Sequence, residues 1–145
     1  MRAGTTLVKR ANDVFSEPTA VKGNLYLSGR HALWRSDGTR RGTKLVRRFS
    51  GSFDRPRFLT AVKATLYFAA AGDKRHGEEL WRSDGTRKGT KMVRDIRHSA
   101  QDIRRNNLSS QPRNLTAVGN TLFFTASDAR HGEELWRAGP KPSGR

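Results

Sequence analysis

The chain repeats itself, and that repetition limits what it can fold into more than any other feature. LWRSDGTRRGTKLVRRF at 33–49 returns as LWRSDGTRKGTKMVRDI at 80–96. LTAVKATLYFAAAGDKRHGEELW at 59–81 returns as LTAVGNTLFFTASDARHGEELW at 115–136, and a degraded copy, PTAVKGNLYLSGRHALW, occupies 18–34. Self-similarity of this length marks an array of supersecondary units. Such a unit cannot bury its own faces and must stack on its neighbours.

Each unit reads as four short strands. TAV (19–21, 60–62, 116–118) opens it, and a tight turn follows, Lys22-Gly23-Asn24 in the first copy and Gly119-Asn120 in the third. The second strand (25–27, 66–70, 121–126) is apolar on both faces, the pattern of a strand covered on both sides. The third covers 79–82 and 134–137, and the fourth 44–48 and 91–96. Between them stand Asp37-Gly38 and Asp84-Gly85, the strongest short hairpin signal, expected as a type I′ turn.

Composition alone points elsewhere. The 145 residues carry 29 Lys and Arg against 13 Asp and Glu, a net charge of +16, and only 34% are hydrophobic. High net charge with few large apolar residues is the signature of disorder. Phase overrides it: the apolar residues are held for the strand faces, and stacked units bury one another. There is no Cys, which excludes disulfides and Cys-based zinc sites. No apolar run approaches the ~20 residues of a membrane span, and the start, MRAGTTLVKRAND, lacks the apolar region of a secretory signal.

The expected architecture is all-β, a β-propeller-like stack of about three four-stranded blades, with a β-solenoid as its rival. The repeat region covers 1–137, with units at 18–49, 59–96 and 115–137 and a linker-like tail at 138–145. GTTLVKR at 4–10 matches GTKLVRR at 42–48 and reads as an orphan fourth strand. Three blades fall short of the about four to eight of a closed propeller. The expectation is therefore an incomplete ring, a part of a larger array, or two chains closing one ring.

LWRSDGT followed by GTKLV, and HGEELWRSDGT followed by GTKMVRDI, resemble the bacterial ELWxxDGT repeats along nearly all of residues 4–137. The resemblance implies a β-propeller-like repeat region of secreted or cell-surface proteins without an established activity. The chain departs from the pattern in three places. The first copy has Gly29-Arg30-His31-Ala32 in place of the HGEE loop. The last copy lacks the Asp-Gly turn. Basic residues follow the turns.

One constellation resembles a metal site: Asp73, His76, Glu78 and Glu79, repeated as Asp128, His131, Glu133 and Glu134. Imidazole and carboxylates suit zinc or a harder cation. The spacing matches no established ligand set, however, and the first copy lacks all four. The reading preferred here is structural, with Asp and His-Gly shaping a loop and the glutamates opening strand three, one of them facing solvent. Asp37-Gly38 and Asp84-Gly85 read as turn chemistry, their Ser and Thr hydroxyls satisfying backbone groups. Trp34, Trp81 and Trp136 recur in phase and read as packing between blades. No nucleophile-and-base arrangement is legible, and no cofactor is implied.

The basic residues are phased too. Arg35, Arg82 and Arg137 follow the tryptophans, Arg40-Arg41 and Arg87-Lys88 follow the turns, and Arg104-Arg105 sit in the longest loop, 97–111. Arg suits bidentate contacts to phosphate, sulfate or carboxylate. The expected function is a non-catalytic scaffold or adhesion-type binding module. Its rivals are a binder of nucleic acid or acidic polysaccharide, and a part of a propeller enzyme whose active residues lie elsewhere.

Overall fold

A computed structural model describes residues 4–50, 55–73, 75–98, 100–105 and 108–140. The chain forms three antiparallel sheets in sequence order. The first comprises β1 (Ser16–Val21), β2 (Asn24–Gly29), β3 (Ala32–Ser36) and β4 (Lys44–Arg48). The second comprises β5 (Arg57–Val62), β6 (Thr65–Ala71), β7 (Glu78–Ser83) and β8 (Lys91–Arg94). The third holds β9 (Arg113–Val118), β10 (Thr121–Asp128) and β11 (Gly132–Ala138). Strands pair with their sequence neighbours, and β5 lies beside both β1 and β9. No sheet closes on itself.

The sheets stack face to face, and the middle one is covered on both sides. Leu66, Phe68, Ala70 and Trp81 pack against Val21, Tyr26, Leu33, Val46 and Phe49 of the first sheet and its exit. Val62, Tyr67 and Leu80 use the opposite face to meet Leu122, Phe124, Ala126 and Ala138 of the third. Strand β6 is buried at every position after Thr65, which is why its sequence is apolar throughout. Phe49 locks the first seam, standing edge-on to Phe68 at 5.7 Å and to Trp81 at 5.2 Å.

Four expectations are corrected. Residues 4–10 carry no regular structure and lie outside the three sheets, so among the described residues the third sheet has three strands. The loop after β8 contains a short helix, α1 (Ala100–Arg105). Ala138 belongs to β11, opposite Leu122, rather than to the tail; residues 141–145 lie outside the described chain. Asp37-Gly38 and Asp84-Gly85 are not two-residue hairpin turns. Strand β3 ends at Ser36 and β4 begins at Lys44, and only the glycines, at φ 89° and 91°, have the positive φ that a type I′ turn needs twice.

Candidate functional site

The Asp-Gly loops are built by side chains. Asp37 Oδ1 accepts from the Thr39 amide (2.9 Å) and hydroxyl (2.7 Å), and the Gly42 amide donates to Thr39 Oγ1 (2.9 Å). Thr43 donates its hydroxyl to Thr39 O (2.7 Å) and shares a 2.7 Å hydrogen bond with buried Ser36, which accepts from the Gly38 amide. Residues 83–90 repeat this geometry: Asp84 holds Thr86, and Ser83 meets Thr90 at 2.7 Å. Every residue of S-D-G-T-x-x-G-T that recurs has a bond or a φ to satisfy. The hydrogen bonds from Thr39 and Thr86 hold Asp37 and Asp84 below the ordinary carboxylate pKa. The aspartates stabilise loop backbone.

The HGEE loops divide into two parts. Asp73 Oδ1 accepts from the Arg75 and His76 amides, and His76 Nδ1 sits 2.8 Å away. Asp128 does the same for Arg130 and His131, with Nδ1 at 3.0 Å. Burial works to raise the Asp73 pKa, but these bonds outweigh it and the group sits below its ordinary value. The bonds from His131 and Arg130 bring Asp128 down to about 2. This is the loop-shaping role expected for Asp and His.

The glutamates differ from expectation. Neither Glu78 nor Glu79 faces solvent; both are fully buried. Arg57 clamps Glu78 Oε1 at 2.9 and 2.6 Å and Oε2 at 2.7 Å. Glu79 Oε2 accepts from the Ser110 hydroxyl (2.6 Å) and the Ile96 amide (3.2 Å), and Oε1 from the Ser110 amide (3.2 Å). Burial pushes Glu79 up to about 7, against the hydrogen bonds. In the third sheet Glu133 and Glu134 are exposed. Among the described residues no three His, Asp or Glu side chains converge as a metal would require. No serine or threonine hydroxyl there bonds to His76 or His131.

The tryptophans occupy three environments. Trp81 is buried and its Nε1 has no partner among the described residues. Trp34 is half-buried under Phe15 and donates Nε1 to Asp13 (2.9 Å). Trp136 is half-buried and donates to Ala126 O (3.2 Å). An arginine of the preceding strand four covers each inner ring: Arg47 lies 4.9 Å over Trp81 and Arg94 5.8 Å over Trp136. Nothing in the sequence had separated these two arginines from ordinary surface charge.

The remaining basic residues are dispersed. Arg40, Arg41, Arg87 and Lys88 are exposed on the loops after strand three of two different sheets, and Arg104 is exposed on α1. The Arg105 side chain lies outside the described residues. Arg35 is half-buried, with its guanidinium against Gly85. Arg82 and Arg137, by contrast, border the same cleft. Together with Arg94 they line one cleft of about 650 Å³ between the second and third sheets, floored by Tyr67, Phe124 and Trp136.

The chain matches no protein-family model, no curated protein and no solved structure. No helix among the described residues is long and apolar enough to cross a membrane.

Proposed function

We propose that the chain is a non-catalytic scaffold and binding module of the ELWxxDGT-repeat kind, its three sheets acting as blades of a propeller-like array that continues onto further repeats. The observation that carries this reading is one sheet face seen in two states. On the second sheet Val62 and Leu80 are 4% and 0% exposed beneath the third sheet; their counterparts Val118 and Leu135 are 57% and 71% exposed. Glu133 and Glu134 stand open where Glu78 and Glu79 are sealed. The occupant such a face is built for is another repeat of the same kind, supplied by a second copy of this chain when the chain is alone. The Asp-His pairs do not contradict a non-catalytic role, since each spends its carboxylate on loop amides.

Sedimentation velocity across a concentration series tests this. The expected result is reversible association that Leu135→Asp shifts toward monomer with little change in thermal midpoint. A monomer at every concentration would overturn the stacking. A second reading, attraction of acidic polymers by the exposed charges, draws on Arg40, Arg41, Arg87 and Lys88. Its affinity for heparin or duplex DNA is then expected to fall steeply between ~50 and 200 mM salt.

A further inference from the structure

The two seams between the sheets are built alike except at one place. In the first seam, Tyr26 and Arg35 of the first sheet are capped by the Asp-Gly loop of the second. Gly85 comes so close that an added Cβ would lie 2.5 Å from Tyr26 Oη and 3.0 Å from the Arg35 guanidinium. Tyr26 there lies in the field of both Arg35 and the Asp84 carboxylate. The counterparts in the second seam are Tyr67 and Arg82, and the loop that should cap them would start at residue 138.

The first three residues of that loop lack the groups that build its relatives. Ser83 supplies the hydroxyl that holds Gly85 N–H and Thr90; Ala138 stands in its place and has none. Gly139 and Pro140 replace the Asp-Gly pair. Among the described residues the seat is open, and it is the cleft of about 650 Å³ lined by Tyr67, Arg82, Arg94, Trp136 and Arg137. That volume is in the range of small-ligand sites, roughly 300–1,000 Å³.

The electrostatics of the cleft are one-sided. Three arginines line it, and among the described residues no carboxylate does. The Arg82 side chain has no hydrogen bond or ion pair among the described residues. Arg94 is engaged only with the Trp136 ring, and Arg137 only with Pro140 O (2.6 Å). The ring faces are not on offer: Phe124 and Tyr67 are buried, and Arg94 lies over Trp136. Base stacking of a single strand, which needs an open aromatic face, is therefore disfavoured. A duplex is too wide for the concavity. What the cleft does offer is a fork of donors for a compact oxyanion, with apolar edges beneath it.

We propose that this cleft binds a small anionic ligand, one or two rings bearing a sulfate or phosphate monoester, whose oxyanion sits among Arg82, Arg94 and Arg137 where the first seam supplies the Asp84 carboxylate. The ester can come from a sulfated sugar or from a nucleoside phosphate, which share this chemistry. The cleft is independent of the open outer face of the third sheet, and it differs from diffuse attraction by the exposed loops.

Calorimetric titration of the full chain at 150 mM salt tests the proposal. The probes are a sulfated disaccharide, adenosine monophosphate and inorganic sulfate. At least one of the two esters is expected to bind tenfold or more tighter than inorganic sulfate, and the tighter one names the source. Arg82→Glu and Arg94→Ala should each weaken that ester at least tenfold. Arg87→Glu changes the charge as much as Arg82→Glu but lies on the loop beyond β7 and outside the cleft, and it should leave the affinity within twofold. Equal weak binding of all three probes, or equal losses from Arg82→Glu and Arg87→Glu, would overturn the proposal. Because the Arg82 side chain is exposed, an unchanged thermal midpoint is expected for Arg82→Glu; a variant that loses its fold is replaced by Arg137→Gln, read by the same tenfold criterion.

Discussion

Gly42 and Gly89 show how tightly single residues are specified. A Cβ on Gly89 would lie 2.0–2.2 Å from the Asp84 carboxylate, and one on Gly42 1.9–2.1 Å from that of Asp37. Each aspartate is fixed there by its bonds to the threonine two residues on. The glycine is needed because a carboxylate, not a strained φ, fills its side-chain space. Gly89→Ala is therefore expected to cost about 2 kcal/mol, the range of an overpacked site that also loosens a hydrogen-bonded group. In an Asp84→Ala background the same change should cost less than half as much, because the clash is gone. Chemical denaturation of the two single variants and the double variant checks this; strictly additive costs would refute the clash. The sequence made the loop legible through its Ser, Asp, Gly and Thr spacing. It did not reveal the loop's length, because an Asp-Gly pair reads as a two-residue turn until the hydroxyl bonds from Ser36 and Thr43 are known.

At the scale of elements, strand positions were legible because β6 and β10 place apolar residues at a period only stacked sheets can use. The features missed were irregularities that leave no periodic trace. Each first strand carries a bulge in which a non-glycine residue takes positive φ: Glu17 at 51°, Phe58 at 59° and Asn114 at 55°. In each the Thr of TAV donates its hydroxyl back to that residue's carbonyl, at 3.0, 2.8 and 3.0 Å. Three chemically unrelated residues occupy the bulge, so no sequence signal marks it. Helix α1 is a single short turn in a loop and was invisible for the same reason. The turns after these strands carry a testable cost. Lys63 sits at φ 53° in the second sheet, where the third has Gly119 at 58°. Left-handed backbone costs an ordinary residue roughly 1–2 kcal/mol, and glycine gives back about 0.4–1 kcal/mol through the unfolded chain. Lys63→Gly should accordingly stabilise the protein by about 0.5–1 kcal/mol, read as a thermal midpoint higher by roughly 2 °C. A lower midpoint would mean that the Lys63 side chain contributes something the backbone argument omits.

At the scale of the whole molecule, the +16 charge is not spread evenly in its roles. Arg47, Arg57 and Arg94 lie against Trp81, Glu78 and Trp136, whereas the loop arginines face water. The seams that these residues join also contain a buried carboxyl that titrates near neutrality. Glu79 is buried where the second sheet meets the segment entering the third. Its carboxylate receives Ser110 and Ile96 but, among the described residues, no cation, and the Asp95 charge nearby opposes its ionisation. Its pKa stands at about 7 in the fold against 4.5 for an ordinary glutamate. Between those values the folded chain holds a proton that the unfolded chain has released. Stability is therefore highest below about pH 4.5 as far as this group is concerned, and it is lost as pH rises through 7. The full swing is of order 3 kcal/mol. The carboxyls held low, Asp128 among them, act in the opposite sense but only below about pH 4, where they begin to take up protons. Thermal midpoints measured from pH 5 to 8 should thus fall with pH in the wild-type chain. Glu79→Gln, neutral at every pH, should flatten that slope and leave the variant the more stable of the two at pH 8. A wild-type midpoint that holds or rises over this interval would show that the seam tolerates the Glu79 charge, which would require a cation or water at Ser110 and Ile96.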